Sequence, residues 1–160
     1  MKKLFKNGTV VNVFTDELIK TNVLIDDGLI IGVGAYTDED ADITEDISGL
    51  YICPGFIDSH IHIESSMLTP FEFARVALPH GTTAVIADPH EIANVMGKTG
   101  LEYMLKASEG LPLDVFLALP SCVPATPFDE AGAELNVADI EEFYSNDRVV
   151  ALGEVMNYVG

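Results

Sequence analysis

The segment Asp58-Ser59-His60-Ile61-His62-Ile63-Glu64 concentrates the side chains best suited to chemistry. On a strand, successive side chains alternate between faces, so Asp58, His60, His62 and Glu64 are expected on one side and Ile61 and Ile63 on the other. Neutral imidazole is a good ligand for zinc, iron or manganese, and two imidazoles one residue apart can grip one ion. Two histidines in satisfied core positions give the same triplet, so the pair gains meaning only from its placement. Two further groups stand out: Asp88-Pro89-His90-Glu91 and Gly153-Glu154-Val155-Met156-Asn157. His90 is a candidate to contact substrate, relay a proton or bind a further metal; the plainer account is a loop histidine bonded to a backbone carbonyl. His80, at an expected helix end, suits the helix dipole and is read as structural. Cys122 has no evident base beside it and is not expected to be a nucleophile. Cys53 and Cys122 are both expected to be buried free thiols, since two cysteines without a framework of spacings do not suggest a disulfide scaffold.

Composition narrows the partners. Among 160 residues, 8 Lys and Arg face 26 Asp and Glu, a formal net charge of -18, which repels nucleic-acid backbones and anionic lipid. The 48% hydrophobic content is enough for a packed core. No apolar run approaches the roughly 18 residues of a membrane span, and the first residues lack the apolar stretch of a signal peptide. A cytoplasmic protein is therefore expected.

Residues 1–50 carry short β-type runs at Thr9 to Phe14, Asn22 to Ile25 and Leu29 to Val33, with Asp26-Asp27-Gly28 as a hairpin turn. The acidic stretch from Asp38 to Asp46 precedes a domain boundary near residue 50. From residue 51 to 160 strands and helices alternate, which argues for a parallel sheet. Strands are expected at Phe56 to Ile63, Thr83 to Ala87, Asp114 to Leu119 and Arg148 to Gly153. Between them, Thr69-Pro70-Phe71-Glu72 and Thr99-Gly100-Leu101-Glu102 read as capping boxes, with stops at Gly81 and Gly110. Asn136 with Asp139 starts a third helix whose apolar positions include Ile140, Phe143 and Tyr144. Four strands and three helices make about half of a (β/α)8 barrel, which typically needs ~250 residues; a doubly wound sheet fits the same alternation.

Pro54-Gly55-Phe56-Ile57-Asp58-Ser59-His60-Ile61-His62 resembles the strand through which members of the amidohydrolase superfamily enter their barrel. The resemblance implies the first half of a (β/α)8 TIM-type barrel, preceded by part of a small β-sandwich. It implies that His60 and His62 are metal ligands, and that Asp58 supports the site from behind. Glu154 stands where many members carry a carboxylated lysine bridging two metals. A carboxylate bridge suits hard ions, so a binuclear manganese or iron centre is implied, with zinc as the alternative. A glutamate capping an exposed loop is the plain alternative for Glu154.

Within the superfamily, the stretches around His60, His90 and Glu154 resemble the adenine deaminases. That likeness implies hydrolysis of adenine to hypoxanthine and ammonia by a metal-activated water, with His90 as the catalytic proton carrier. Glu64 and Glu91 are candidates to support ligands or touch the purine. The family's remaining ligands come from later strands: histidines from the fifth and sixth, an aspartate from the eighth. The chain is therefore expected to be an amino-terminal fragment that needs a carboxyl-terminal half and is inactive alone; self-association stays open. Ring-amide hydrolysis, deacetylation and a non-catalytic fragment are the rival readings.

Overall fold

The computed structural model describes residues 1–158; the last two positions of the second unit expected above lie outside the described residues. The chain divides into two compact units, Met1–Pro54 and Gly55–Gly160. Among the described residues no helix is long and apolar enough to cross a membrane.

The first unit is one sheet. β1 (Lys2–Asn12), β2 (Glu17–Asp26) and β3 (Leu29–Gly34) form an antiparallel meander. β4 (Ile43–Asp46) and β5 (Tyr51–Ile52) pair parallel with the two halves of β1. The β2–β3 turn is Asp27-Gly28, with φ of 46° and 79°; paired positive φ values make the type of tight turn that matches strand twist. β1 begins at Lys2, well ahead of the apolar run that starts at Thr9. Its opening residues are lysine-rich, yet Leu4 is fully buried and Lys3 pairs with Glu45 at 2.8 Å. The acidic stretch also yields a strand, β4, because Ile43–Asp46 finds the free edge of β1. A bulge between Phe5 and Gly8, with Asn7 at φ 62°, separates the two partners of β1. A Cβ at Gly8 would meet the Ile47 side chain at 2.5 Å, so glycine there leaves room for Ile47, which is buried, as are Leu4, Val23 and Leu24.

The second unit is a four-stranded parallel sheet in the order β6 (Phe56–Ile61), β7 (Thr82–Ala87), β8 (Asp114–Leu119), β9 (Val149–Leu152). α1 (Pro70–Ala77) follows β6. Thr69 Oγ1 accepts from the Glu72 amide at 3.4 Å, while the Glu72 carboxylate turns to Arg75 instead of closing a reciprocal box. A short turn at Leu78–His80 ends at Gly81, φ 93°, leaving His80 exposed. The stretch after β7 departs from the expected single helix. α2 (His90–Met96) starts directly behind Pro89, and α3 (Lys98–Ala107) follows Gly97 at φ 59°. Thr99 therefore lies inside the first turn of α3 and caps nothing. Gly100 allows the two helices their close approach, since a Cβ there would stand 2.8 Å from the Ile92 carbonyl oxygen. α4 (Val137–Glu141) has the reciprocal Asn136–Asp139 box.

Helices and strands share one apolar core. Val85, Ala87, Val115, Leu117 and Leu119 from the central strands pack with Phe73, Leu101, Met104, Leu105, Ile140 and Phe143. Each large side chain fully withdrawn from water stabilises by about 1.5–3 kcal/mol. Tyr144, expected beside Ile140 and Phe143, is instead exposed, as is Cys53, because both fall outside that core. Cys122 is partly buried. Arg148, just before β9, donates to Ser108 Oγ at 2.8 Å and to the Leu105 carbonyl, at the end of α3.

Candidate metal centre

Parallel strands gather their carboxyl ends on one edge of the sheet, and a residue able to bind a cation stands at or just past the end of each of β6, β7 and β9. β6 stops at Ile61, so the expected alternation does not run on to Glu64, which opens a turn. His60 and His62 nevertheless converge, with their Nε2 atoms 3.1 Å apart. His62 Nδ1 lies 2.9 Å from the Asp88 carbonyl oxygen. That hydrogen bond places the proton on Nδ1 and leaves the Nε2 lone pair facing His60, the arrangement in which a second partner sets the tautomer of a ligand. Glu154, just past β9, brings Oε2 to 3.6 Å from His60 Nε2 and Oε1 to 3.9 Å from His62 Nε2. Its Oε1 is also 3.6 Å from His90 Nδ1.

Three of the expected residues, His60, His62 and Glu154, thus form one group whose ligand atoms all lie within 4.8 Å of one another. Two further groups meet the same limit, His62 with His90 and Glu91, and Asp88 with His90 and Glu154. Glu91 Oε2 stands 3.3 Å from His62 Nδ1 and 3.9 Å from His90 Nε2, and Glu91 accepts a bond from Ser65 Oγ at 2.9 Å. Glu64 accepts from the Ile92 amide at 3.3 Å, tying the turn after β6 to α2. Asp58 belongs to none of these groups and accepts from the His60 amide at 3.2 Å.

Among the described residues, four buried side-chain polar atoms have no hydrogen-bond partner, and all are in this region: Glu64 Oε2, Asp88 Oδ1, His90 Nδ1 and Glu91 Oε2. Unpaired buried polar atoms are costly. Imidazole and carboxylate atoms orphaned side by side are the donor set a divalent cation satisfies, so these residues fit such an ion. The electrostatics agree. Burial is the largest influence on His62 and opposes its protonation, but the charge of Glu91, the Asp88 carbonyl and the charges of Asp88 and Glu154 together outweigh it and raise the pKa above the ordinary value. Burial raises the pKa of Glu64, against the bonds it accepts from backbone amides.

Sequence reasoning misses Asp88, the one fully buried carboxylate among the described residues. Its position directly after an apolar strand, before Pro89 and His90, is the available signal. Ser121 donates to the Glu154 carbonyl at 2.7 Å. With Cys122, Leu152 and Val155 it lines an open hollow of about 790 Å³, whose wall includes the residue that follows Glu154 but none of the cluster itself.

A parallel α/β sheet with imidazoles and carboxylates collected at its carboxyl edge has the layout of a candidate metal site on an α/β scaffold. Comparison with known proteins names the family: the amidohydrolase family matches residues 51–158, and the chain belongs to it. The family uses a divalent metal. The chain is similar to the adenine deaminases of Geobacillus kaustophilus, at 54% identity over 155 residues, and Bacillus licheniformis, at 53% over 156. These matches take in 97% and 98% of this chain but 26% and 27% of those proteins, so the chain spans about a quarter of the length of the curated relatives it matches. Its fold is similar to the crystal structure of a D-hydantoinase, with a TM-score of 0.60 and 25% identity over 89% of this chain and 30% of that one. The second unit is accordingly the first half of a TIM-type barrel, and the first sheet is part of a β-sandwich.

Proposed function

We propose that this chain supplies the first four strands, and the first metal ligands, of an enzyme that hydrolyses adenine to hypoxanthine and ammonia. The observation that carries this reading is the convergence of His60, His62 and Glu154 at the strand ends, in a chain more than half identical to two adenine deaminases. His60, His62 and Glu154 would hold a divalent ion, manganese or iron, with zinc as the alternative. Glu154 has an oxygen on each side, toward His60 and toward His90, which suits it to bridge two ions. When bound, the metal supplies Lewis-acid activation of water.

The other residues position and move protons. The Asp88 carbonyl fixes His62 with Nε2 toward His60, free to serve as a ligand atom. His90 is the proposed proton carrier. Its Nδ1 faces Asp88 Oδ1 at 3.4 Å and its Nε2 faces Glu91, so Nε2 is placed to give and take the proton that passes to the departing ammonia. Glu64 and Asp58 hold backbone amides, of Ile92 and His60, and support the site indirectly. The hollow beside Glu154 is the proposed place for the flat purine ring.

Activity is proposed for the completed barrel of a cytoplasmic enzyme, formed with a polypeptide that carries the rest of the relatives' length; sedimentation of that complex distinguishes a single copy from a homo-oligomer. Ammonia release from adenine, measured for the manganese-loaded chain alone and after adding that polypeptide, tests the reading. Release is expected only in the mixture, and His60→Ala should abolish it together with bound metal. A completed protein that opens a hydantoin ring and leaves adenine intact would replace this reading with cyclic-amide hydrolysis, the activity for which the D-hydantoinase is named.

A further inference from the structure

We propose that Asp88 is a positioning residue that sets the place of Glu154, linking the end of β7 to the end of β9. The proposal rests on the reading of Glu154 as a metal ligand. Glu154 follows an edge strand, and its side chain is 44% exposed, so packing alone does little to hold it. The Asp88 carboxylate does so directly: Oδ2 accepts the Glu154 amide at 2.7 Å. Asp88 is itself firmly held. It is fully buried, follows β7 without a break, and donates its own amide to the Ile61 carbonyl at 2.9 Å. Its carbonyl accepts from His62 Nδ1. One residue therefore orients two of the three proposed ligands, His62 through its backbone and Glu154 through its side chain.

The residue before Glu154 is shaped to this contact. A Cβ at Gly153 would collide with the Asp88 carboxylate, so only glycine admits the buried carboxylate at this point. The Gly153 amide donates to the Leu119 carbonyl at 2.6 Å, which clamps the same turn to β8. A charge-assisted bond to a backbone amide is about twice as strong as a neutral one, and its acceptor here belongs to a fully buried residue.

Three variants of the chain test this, each read two ways: manganese affinity after completion with the polypeptide that carries the rest of the relatives' length, and hydrogen-exchange protection of the Glu154 amide in metal-free protein. Asp88→Ala removes the acceptor and should abolish the protection while weakening manganese binding on the order of 100-fold, as loss of a ligand's partner does. Asp88→Asn keeps an acceptor in place and should retain the protection and lose less than about tenfold in affinity. Gly153→Ala leaves the carboxylate in the chain but displaces it, and should resemble Asp88→Ala. The proposal is overturned if the Glu154 amide stays protected in Asp88→Ala, or if Asp88→Asn loses metal as completely as Asp88→Ala, which would make Asp88 a charged ligand. If the wild-type chain completed by that polypeptide binds no manganese, the metal reading of Glu154 fails, while the amide protection still decides whether Asp88 positions that residue.

Discussion

The two sheets solve the same problem with different means. In the first, the buried apolar side chains are Leu4, Val23, Leu24 and Ile47, and Leu18, Leu29, Ile30 and Val33 remain more than half exposed. In the second, a helix follows each of the first three strands, and the central strands bury Val85, Ala87, Val115, Leu117, Ala118 and Leu119, whereas the edges leave Ile57 67% and Leu152 59% exposed. A sheet with helices acquires a core of its own. A sheet without them holds itself through strand pairing and polar ties such as Lys6–Asp38 at 2.8 Å and the Asp46–Ser48 bonds. The donor cluster lies on the sheet that has the core, as accurate placement of ligands requires.

The contrast is open to direct attack. Leu117→Ala, at a site with no exposure in β8, should destabilise the second unit by about 2–5 kcal/mol, while Ile30→Ala in β3, 64% exposed, should change stability by no more than about 0.5 kcal/mol. Urea denaturation of each variant measures both; comparable losses would erase the distinction. A smaller effect than that of Leu117 belongs to the helix layer. Asn136→Ala deletes the acceptor for the Ala138 and Asp139 amides and should cost about 1 kcal/mol, read as an earlier urea midpoint.

The smallest effect is a pH dependence within the first unit. Asp46 has its pKa lowered chiefly by the Ser48 hydroxyl, and Asp38 by Lys6. A carboxylate whose pKa is depressed by folding adds stability above its unfolded value, about 3.9, and loses it as pH falls through the folded value. The first sheet should therefore melt at lower temperature as the solution is acidified below about pH 4, and Asp46→Asn should flatten that slope. Both groups are exposed, so the shift is modest; an unchanged slope in the variant would remove Asp46 from the account.

What can be read in advance follows the range of each signal. β8 matches its apolar run residue for residue, and the Asn136–Asp139 cap is where its residues put it, because both depend on neighbours within a few positions. The convergence of His60 and His62 is legible for the same reason. The break between α2 and α3 is hidden because Thr99-Gly100-Leu101-Glu102 imitates a helix start, whereas Gly97 ends one helix and Gly100 serves packing against Ile92. β4 is obscured by its acidic composition, since its strand character comes from pairing with a distant stretch of chain, as in Lys3 with Ile43. The part played by Asp88 arises from a bond to Glu154, 66 positions away, so its place after an apolar strand marks the residue but not its partner.

Arg148 bears on what the open side of the second sheet can tolerate. The guanidinium moors the start of β9 to the end of α3, and Asp88 moors the turn beyond its far end. A short edge strand pinned at both extremities behaves like a fixed rung: another strand can be laid against its free side, or taken away, without dragging Glu154 from its station.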